Sequence, residues 1–527
     1  MTDNTALKFP DVSEMTLEQK IGQLFLVMIN GPELSNEFRN HFLSSKIGNY
    51  IVFSKDLTDY KSIRNLTDSL QDTAMKACGI PAFISADQEG GMVMRVFSGA
   101  THFPSNMSLA AAGAVDSMEP LGEMVGTELR ALGININHAP VMDVNNNPEN
   151  PIIGVRAYSD DPNVVAKMGV GYIKGLQKSG VIANAKHFPG HGDTSIDSHL
   201  GLPLIDHDMA RLEAVELVPF KAAIEGGVDS FMTAHINFKA IESELPATLS
   251  HKIMTGFLRE QLGFEGLIIT DCVTMNAIKD RYTTEKGCVM ALNAGIDLIC
   301  LNAATDIQAE CYNAVHWAVM SGELPIEKID AAVTRILKYK KKYNIGSVAP
   351  MPQEIYPQHE ALADELSEKS ITLTHDTNNL IPLAGKRFIT ISPPPVRTSI
   401  ADDTVGALES FCKQVAAKFG NEYREITIDP NSYEIASVMA DVQDYDLIVY
   451  GCYSAMVNPG QIRLFDELKA AGKRIVLVSL RIPYDSMKMK DSDCHIAAYE
   501  YTTRAIGNVI KVLSGAIRAV GVSPVKL

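Results

Sequence analysis

Eight apolar segments that alternate with helical patterns constrain the fold of this chain more than any other feature of its sequence. Strands of a parallel sheet that is covered on both faces read as near-continuous apolar runs. Eight such strands, each followed by a helix, are the number that closes a barrel. We therefore predict an α/β fold that begins with a (β/α)8 barrel. The predicted strands are 24–30, 49–54, 82–88, 136–143, 181–188, 229–236, 266–273 and 297–303.

A second alternating series follows a proline-containing stretch, residues 344–357, that no long apolar run crosses. This stretch marks a linker, so we predict a barrel over 1–343, a linker with a bridging helix over 344–371, and a smaller α/β/α sandwich domain over 372–527. The second domain carries no glycine-rich nucleotide motif, so nucleotide binding is not supported. Its predicted strands are 387–392, 424–429, 446–454, 474–480 and 495–502.

Composition excludes several classes of partner. The chain has 527 residues and a formal net charge of −16, which argues against nucleic acid or an anionic membrane as the main partner. A single tryptophan, Trp317, excludes a carbohydrate cleft lined by several tryptophans. No apolar run is long enough to span a membrane, and no signal peptide is visible at the N-terminus. We therefore expect a cytoplasmic protein, and its sequence carries no signal for an oligomeric state.

Cysteines and the last barrel helix give two local predictions. None of the eight cysteines forms a C-x-x-C pair, and most of them lie in apolar runs. We therefore expect all eight side chains to be reduced, buried thiols. The helix over 326–343 ends in four lysines, whose positive charges are stabilised by the negative C-terminal end of the helix dipole. We interpret that charge run as a solvated helix end. The lysines are Lys338, Lys340, Lys341 and Lys342.

Polar residues follow most of the predicted barrel strands, and in such barrels the chemistry lies at the C-terminal ends of the strands. Many ionisable groups that converge on one rim are costly to bury unless they pair or act. We predict that Asp143 holds its loop through backbone N–H groups and that His138, inside its strand, is a core histidine. The other polar residues at the strand ends are Asp87, Gln88, Glu89, Lys186, His187, His235, Thr270, Asp271 and Asn302.

The segment 186–203, KHFPGHGDTSIDSHLGLP, is the richest in candidate groups. Its histidines and aspartates could bind a metal, could shuttle protons with Asp197 orienting His199, or could merely form hydrogen bonds. Barrel metallohydrolases usually bring an H-x-H from the first strand, and 24–30 contains no histidine. That absence favours proton transfer over a metal, although the residues alone leave all three interpretations open.

Four motifs in order resemble glycoside hydrolase family 3, in its β-N-acetylglucosaminidase branch. They are ADQEGGMVMR at 86–95, NPIIGVRAY at 150–158, the 186–203 segment, and IITDCVTMNAI at 268–278. AYEYT at 498–502 is similar to a stretch of the longer, two-domain members. Cys272 is a departure, because many relatives carry a second aspartate after the nucleophile. The catalytic carboxylate itself is present.

The resemblance implies a role for each matching residue, with no metal and no cofactor. Asp271 would be the nucleophile that forms a covalent glycosyl-enzyme, and His199 would be the acid/base, paired with Asp197. An imidazole titrates near neutral pH, so His199 would need little tuning for both proton transfers. The residues implied to bind the sugar hydroxyls are Asp87, Arg95, Arg156, Lys186 and His187.

The implied function is that of an exo-acting, retaining β-N-acetylglucosaminidase. It would remove terminal N-acetylglucosamine (GlcNAc) from peptidoglycan fragments (muropeptides) or chitooligosaccharides. Two alternatives within the family are a phosphorylase that uses phosphate as the acceptor and a β-glucosidase. An alternative from another class is a barrel that has lost catalysis and only binds sugar. Intact Asp271, Asp197 and His199 argue against that last alternative.

Overall fold

The computed structural model describes residues 9–194, 201–347, 349–353, 356–397, 401–402 and 408–527. Eight parallel strands form one sheet in the order β7-β6-β5-β4-β3-β2-β1-β8. Backbone bonds from Thr270 N to Leu298 O (2.9 Å) and from Leu298 N to Ile268 O (3.2 Å) join its two ends. The predicted (β/α)8 barrel is therefore confirmed. The strands are β1 Phe25–Met28, β2 Asn49–Ile51, β3 Phe83–Ala86, β4 Ile136–Asn137, β5 Ile182–Phe188, β6 Ser230–Thr233, β7 Leu267–Thr270 and β8 Ile299–Leu301.

Helices surround the barrel, and several of them begin at side-chain caps that the sequence provides. Thr16 and Gln19 form a reciprocal capping box at the start of α1. Asp59 accepts the backbone N–H groups of Lys61 and Ser62 at the start of α3, and Gly79 ends that helix in the left-handed region, with φ at 73°. The helices of this part of the chain are α1 Leu17–Gln23, α2 Asn36–Ser45, α3 Tyr60–Cys78, α4 Asn106–Ala111, α5 Met118–Ala131, α6 Pro162–Lys178, α7 Met209–Ala214, α8 Leu217–Glu225, a π-helix Lys252–Gln261, α9 Asn276–Tyr282, α10 Thr284–Ala294, α11 Thr305–Ser321 and α12 Ile326–Lys342.

The fourth strand is shorter than the sequence predicts. We predicted 136–143, whereas regular pairing covers only Ile136–Asn137. Pro140 has no N–H to donate, so the ladder cannot continue through it. Its carbonyl still accepts the N–H of Lys186 at 3.0 Å, and Val141 bridges Lys186 beyond it. The rest of the predicted segment therefore runs beside β5 without regular strand pairing.

A six-stranded sheet forms the core of the second domain, in the order β9-β14-β13-β12-β10-β11. Edge strand β9 pairs antiparallel with β14, and the other pairs are parallel. The sequence prediction missed β9, because this half-exposed edge strand carries polar residues. The prediction for 424–429 was displaced: the strand covers Glu422–Glu425. The strands are β9 Thr372–Asp376, β10 Ile389–Ser392, β11 Glu422–Glu425, β12 Leu447–Cys452, β13 Arg474–Ser479 and β14 Cys494–Ala497, and the helices are α13 Pro357–Ser370, α14 Phe411–Phe419, α15 Ser432–Asp441, α16 Gly460–Ala470 and α17 Thr503–Ser514.

The residues after β14 contact the barrel instead of extending the strand, so the prediction of a strand to residue 502 was wrong. Tyr499 takes a positive φ of 63°, which turns the chain. The buried carboxylate of Glu500 accepts the backbone N–H of Ser105 at 2.6 Å, and burial raises the pKa of Glu500 to about 7. Tyr484 also donates its hydroxyl to Asn145 O at 3.1 Å. Both contacts join the second domain to the barrel.

Charged residues also lie at the N-terminal end of the barrel. Lys340 is fully buried there and donates to Gln23 Oε1 at 2.7 Å, while Lys342 Nζ lies 2.5 Å from Asp229 Oδ2. The interpretation of the lysine run as a solvated helix end is therefore wrong for Lys340. Burial lowers the pKa of Lys340 to about 7. The helix turns this residue inward because its spacing places it on the apolar face of α12.

Two further features bear on the sequence predictions. All eight cysteines are free and buried, as predicted. Each helix in the described part of the chain is too short or too polar to cross a lipid bilayer.

Candidate active site

A cavity of about 630 Å³ opens at the C-terminal ends of the barrel strands. Its walls come from the loops after six of the eight strands, from Met28 and Met232 at the ends of the other two, and from the second domain. Six residues to which the family resemblance gives a role line it together, although they are scattered from Asp87 to Asp271 in the sequence. They are Asp87, Arg95, Arg156, Lys186, His187 and Asp271.

Five charged side chains, four of them buried, form a connected network on one side of this cavity. Lys186 Nζ lies 2.7 Å from Asp87 Oδ1 and 2.7 Å from Glu89 Oε1. Arg156 holds the carboxylate of Glu89 through two hydrogen bonds, from Nε at 2.9 Å and from a terminal nitrogen at 2.8 Å. Arg95 lies 3.5 Å from the other oxygen of Asp87. Each charge therefore has an opposite partner, which burial requires.

The network keeps its members ionised. Burial would raise the pKa of Asp87, but the charges of Lys186 and Arg95 outweigh it and hold that pKa well below its usual range. In the same way Arg156 and Lys186 overcome burial and lower the pKa of Glu89 to about 2. The two carboxylates in turn raise the pKa of Lys186 despite its burial. At neutral pH the cavity wall thus presents fixed charges of both signs.

Asp143 accepts backbone N–H groups, as predicted, but they belong to β5 and the loop after it and not to its own loop. Its Oδ1 accepts the backbone N–H groups of His187 (3.2 Å) and His191 (2.7 Å), and its Oδ2 lies 2.7 Å from His187 Nδ1. Burial lowers the pKa of His191 to about 4, so this ring is neutral at physiological pH. Both rings line the cavity. Asp143 therefore orients the imidazole of His187 without facing the cavity itself.

His138 is a core histidine, as predicted. Its ring nitrogens lie 2.9 Å from Ser85 Oγ and 2.7 Å from Asn184 Nδ2. Burial lowers its pKa to about 4. The ring is thus neutral and satisfied inside the barrel.

Asp271 lies directly after β7 and is partly exposed to the cavity. Its Oδ1 accepts the N–H of Cys272 at 2.7 Å. The thiol of Cys272 lies 2.9 Å from Thr274 Oγ1, and burial raises its pKa. Beside Asp271 this chain therefore carries a neutral thiol in place of a second carboxylate.

His235 supports the same turn from below. Its Nε2 lies 3.0 Å from the carbonyl oxygen of Cys272, and its Nδ1 lies 2.8 Å from Thr248 Oγ1. The ring thus fixes the backbone immediately after Asp271.

Asp197 and His199, the predicted acid/base pair, lie outside the described residues. The chain is described up to Thr194 and again from Gly201. Close to these two ends, Asp193, His207 and Glu216 each offer one potential metal-ligand atom, and these atoms lie within 4.8 Å of one another. The Arg211 guanidinium is 3.1 Å from Glu216 Oε1, so a positive charge is already present there.

Sequence reasoning missed several residues of the cavity. Glu89 was noted at its strand end but given no role, although it bridges Lys186 and Arg156. Arg397 and Ala401 line the cavity from the second domain. No motif marks the segment around them, so only the packing of the two domains reveals it.

That segment is attached to both domains. Arg95 donates to the carbonyl oxygen of Ala401 at 3.4 Å. Asp402 forms a buried ion pair with Arg481 at 3.0 Å. The second domain therefore completes one wall of the cavity.

Comparison with known proteins identifies similar chains. Residues 16–339 match the family model described as the glycosyl hydrolase family 3 N-terminal domain. The chain is 35% identical over 368 residues to beta-hexosaminidase A of Pseudoalteromonas piscicida, and this match covers 65% of the chain and 61% of that relative. It is 30% identical to the beta-N-acetylglucosaminidase/beta-glucosidase of Cellulomonas fimi, over 72% of the chain and 68% of that relative.

One solved structure is similar over nearly the whole chain. It is a glycoside hydrolase family 3 beta-N-acetylglucosaminidase from a Paenibacillus species, with 36% identity and a TM-score of 0.92. The match covers 97% of this chain and 99% of that one. The similarity therefore extends beyond the barrel into the second domain.

Proposed function

We propose a reaction for this chain from one premise, which is that it belongs to glycosyl hydrolase family 3, a family of glycoside hydrolases. The reaction is the removal of a terminal GlcNAc by an exo-acting, retaining β-N-acetylglucosaminidase. The observation that carries the proposal is the position of Asp271, which opens onto the same cavity as the charged network around Lys186. The names of the relatives support a hexosaminidase.

In the proposed first step, an Asp271 carboxylate oxygen attacks the anomeric carbon. The bond from that carbon to the leaving oxygen breaks, and His199, paired with Asp197, protonates the leaving group. In the second step His199 removes a proton from water, whose oxygen displaces Asp271 and releases the sugar with retained configuration.

The charged network is suited to hold the terminal sugar. Asp87 can accept hydrogen bonds from hydroxyl groups, while Lys186, Arg95 and Arg156 can donate them. Hydrogen bonds that involve a charge are roughly twice as strong as neutral ones. Because these charges are already paired with one another, they hold their orientation before the substrate arrives.

We propose GlcNAc-terminated muropeptides or chitooligosaccharides as the substrates. Met232 and Cys300, buried residues of β6 and β8, line the cavity, so the packed barrel interior bounds it on that side. We infer that a sugar chain enters with its terminal residue. This geometry supports exo-action.

The test compares the p-nitrophenyl β-glycosides of GlcNAc, N-acetylgalactosamine and glucose at several phosphate concentrations. We expect the GlcNAc substrate to be hydrolysed fastest without phosphate. Fastest turnover of the glucoside would identify a β-glucosidase, and turnover only with phosphate would identify a phosphorylase. No turnover of any of the three, with sugar binding retained, would contradict catalysis altogether.

A further inference from the structure

The described residues on either side of 195–200 are joined by a compact polar cluster that the proposed reaction does not use. We name it the loop clamp; it consists of Asp193, His207, Arg211 and Glu216. Asp193 precedes the segment that carries Asp197 and His199, and the other three residues follow it in the chain. The clamp therefore joins two chain positions 14 residues apart (207 − 193 = 14).

Three contacts hold the clamp together. His207 Nε2 lies 2.5 Å from Asp193 Oδ2. The Arg211 guanidinium lies 3.1 Å from Glu216 Oε1 and 3.8 Å from Asp193 Oδ2. Asp193 is thus contacted by one ring and one cation that both come from beyond the catalytic segment.

Glu216 fixes the clamp to the barrel. It is 3% exposed, and among the described residues its Oε2 has no hydrogen-bond partner. A buried carboxylate of this kind is costly unless a positive charge lies beside it, and Arg211 supplies that charge. Gly190 passes so close that a Cβ at this position would lie 3.1 Å from the Cβ of Glu216.

The chain before the segment is held independently of the clamp. Asn150 donates to the carbonyl oxygens of His191 and Gly192, each at 2.9 Å. A Cβ on Gly192 would lie 1.7 Å from the carbonyl oxygen of Val144, so only glycine fits there. Asp193 is therefore a fixed point to which the chain after the segment can be attached.

The chain after the segment has fewer attachments. Its short strand Leu204–Ile205 pairs with Asn237–Phe238, and Leu204 is exposed. His207 lies two residues beyond this strand and contacts Asp193. The contact between His207 and Asp193 therefore limits the distance between the two described ends of the chain that flank residues 195–200.

We propose that the loop clamp positions the acid/base pair for the first step of the reaction, the transfer of a proton to the glycosidic oxygen. This inference rests on the proposed function, because it assumes that His199 is the acid. His207 and Arg211 are positioning residues, since they act through the segment and do not line the cavity. The proposal needs no metal ion, because Arg211 places a positive charge beside both carboxylates.

The experiment compares His207→Ala with His251→Ala, a control at an exposed histidine of the barrel. Two substrates are used: 2,4-dinitrophenyl β-GlcNAc, whose leaving group needs no acid, and phenyl β-GlcNAc, whose leaving group does. We expect kcat to fall about tenfold for the phenyl substrate and less than twofold for the dinitrophenyl substrate, because a small misplacement of the acid affects only proton transfer. His207→Gln keeps a donor and should restore most of the loss.

A double-mutant cycle tests whether His207 acts through His199. In a chain that already carries His199→Ala, His207→Ala should cause no further loss with the phenyl substrate. Equal losses on both substrates, or a full additional loss in the double variant, would overturn the proposal.

Amide hydrogen exchange separates this proposal from the function on which it rests. His207→Ala should speed exchange of residues 201–206 about tenfold, whereas His251→Ala should not. Unchanged exchange would refute the clamp whatever His199 does. Faster exchange, together with a His199→Ala variant that shows no dependence on the leaving group, would refute the acid assignment instead.

Discussion

The two ends of the barrel both bury charged residues, and they differ in what surrounds those charges. At the C-terminal end, Lys186 and Glu89 pair across the wall of a 630 Å³ cavity. At the N-terminal end, the fully buried Asp297 accepts from Arg259 (2.6 Å) and from the partly exposed Arg335 (2.7 Å). Both arrangements satisfy the requirement that a buried charge be paired.

The difference shows that burial and pairing alone do not mark an active site. At the N-terminal end, the carboxylate of Asp297 is fully buried and held by two arginines, so we expect these pairs to stabilise the fold. The pairs at the C-terminal end leave polar atoms beside open volume, and this volume lies next to Asp271. Substitutions at the two ends should therefore affect different measurements.

Removal of the proposed nucleophile should give the largest effect. Asp271→Ala should lower kcat on p-nitrophenyl β-GlcNAc by about 1000-fold or more, since no covalent intermediate can form. Asp280→Ala, at an exposed position nearby on α9, is the matched control. Activity close to that of the unaltered chain in Asp271→Ala would contradict the assignment.

A change at the opposite end should affect stability instead. Asp297→Asn leaves Arg259 and Arg335 without their carboxylate and should lower the free energy of unfolding by about 3 kcal/mol. Urea unfolding followed by circular dichroism measures this, and kcat of the folded protein should stay within twofold. A large loss of kcat with stability unchanged would break the contrast between the two ends.

A smaller effect is expected at the rim of the cavity. Arg95→Gln removes one charged donor beside Asp87 and should raise KM about tenfold, or about 1.4 kcal/mol, with a smaller change in kcat. Steady-state kinetics on p-nitrophenyl β-GlcNAc gives both constants. An unchanged KM would mean that Arg95 does not contact the sugar.

Lys340 gives a pH-dependent prediction at the N-terminal end. Burial lowers its pKa to about 7 in the folded chain, against 10.5 in the unfolded chain. Between these values the unfolded chain binds more protons, so stability rises with pH. The unfolding free energy of the unaltered chain should therefore rise relative to that of Lys340→Met by about 1.4 kcal/mol per pH unit from pH 7.5 to 9.5, because the methionine does not titrate. A pH-independent difference would refute the buried, neutral amine.

The sequence predicts the barrel well because its strands are buried on both faces and therefore carry a strong apolar signal. It predicts the edge strand Thr372–Asp376 poorly, since one-sided burial leaves polar residues in the pattern. Lys340 was misread for a related reason: a lysine is normally solvated, and only tertiary packing turns this one inward.

In the candidate site too, residues within motifs could be predicted, whereas residues placed by tertiary packing could not. Asp271 and Lys186 stand at the ends of strands within recognisable motifs, and the cavity does bring them together. Their roles stay predictions, as do those of Asp197 and His199. Glu89 could have been assigned from its position beside Asp87, because two adjacent buried carboxylates need cations. Arg397 could not, since its place at the cavity depends on how the two domains pack.

The contact between Arg95 and Ala401 has an evolutionary consequence. Residues from both parts of the chain line one pocket. Every residue type provides a backbone carbonyl, so a substitution at Ala401 keeps this acceptor, whereas a shorter side chain at Arg95 loses the donor. Inherited substitutions should therefore be more restricted at Arg95 than at Ala401, and exchange of second domains between relatives should alter which leaving groups are accepted.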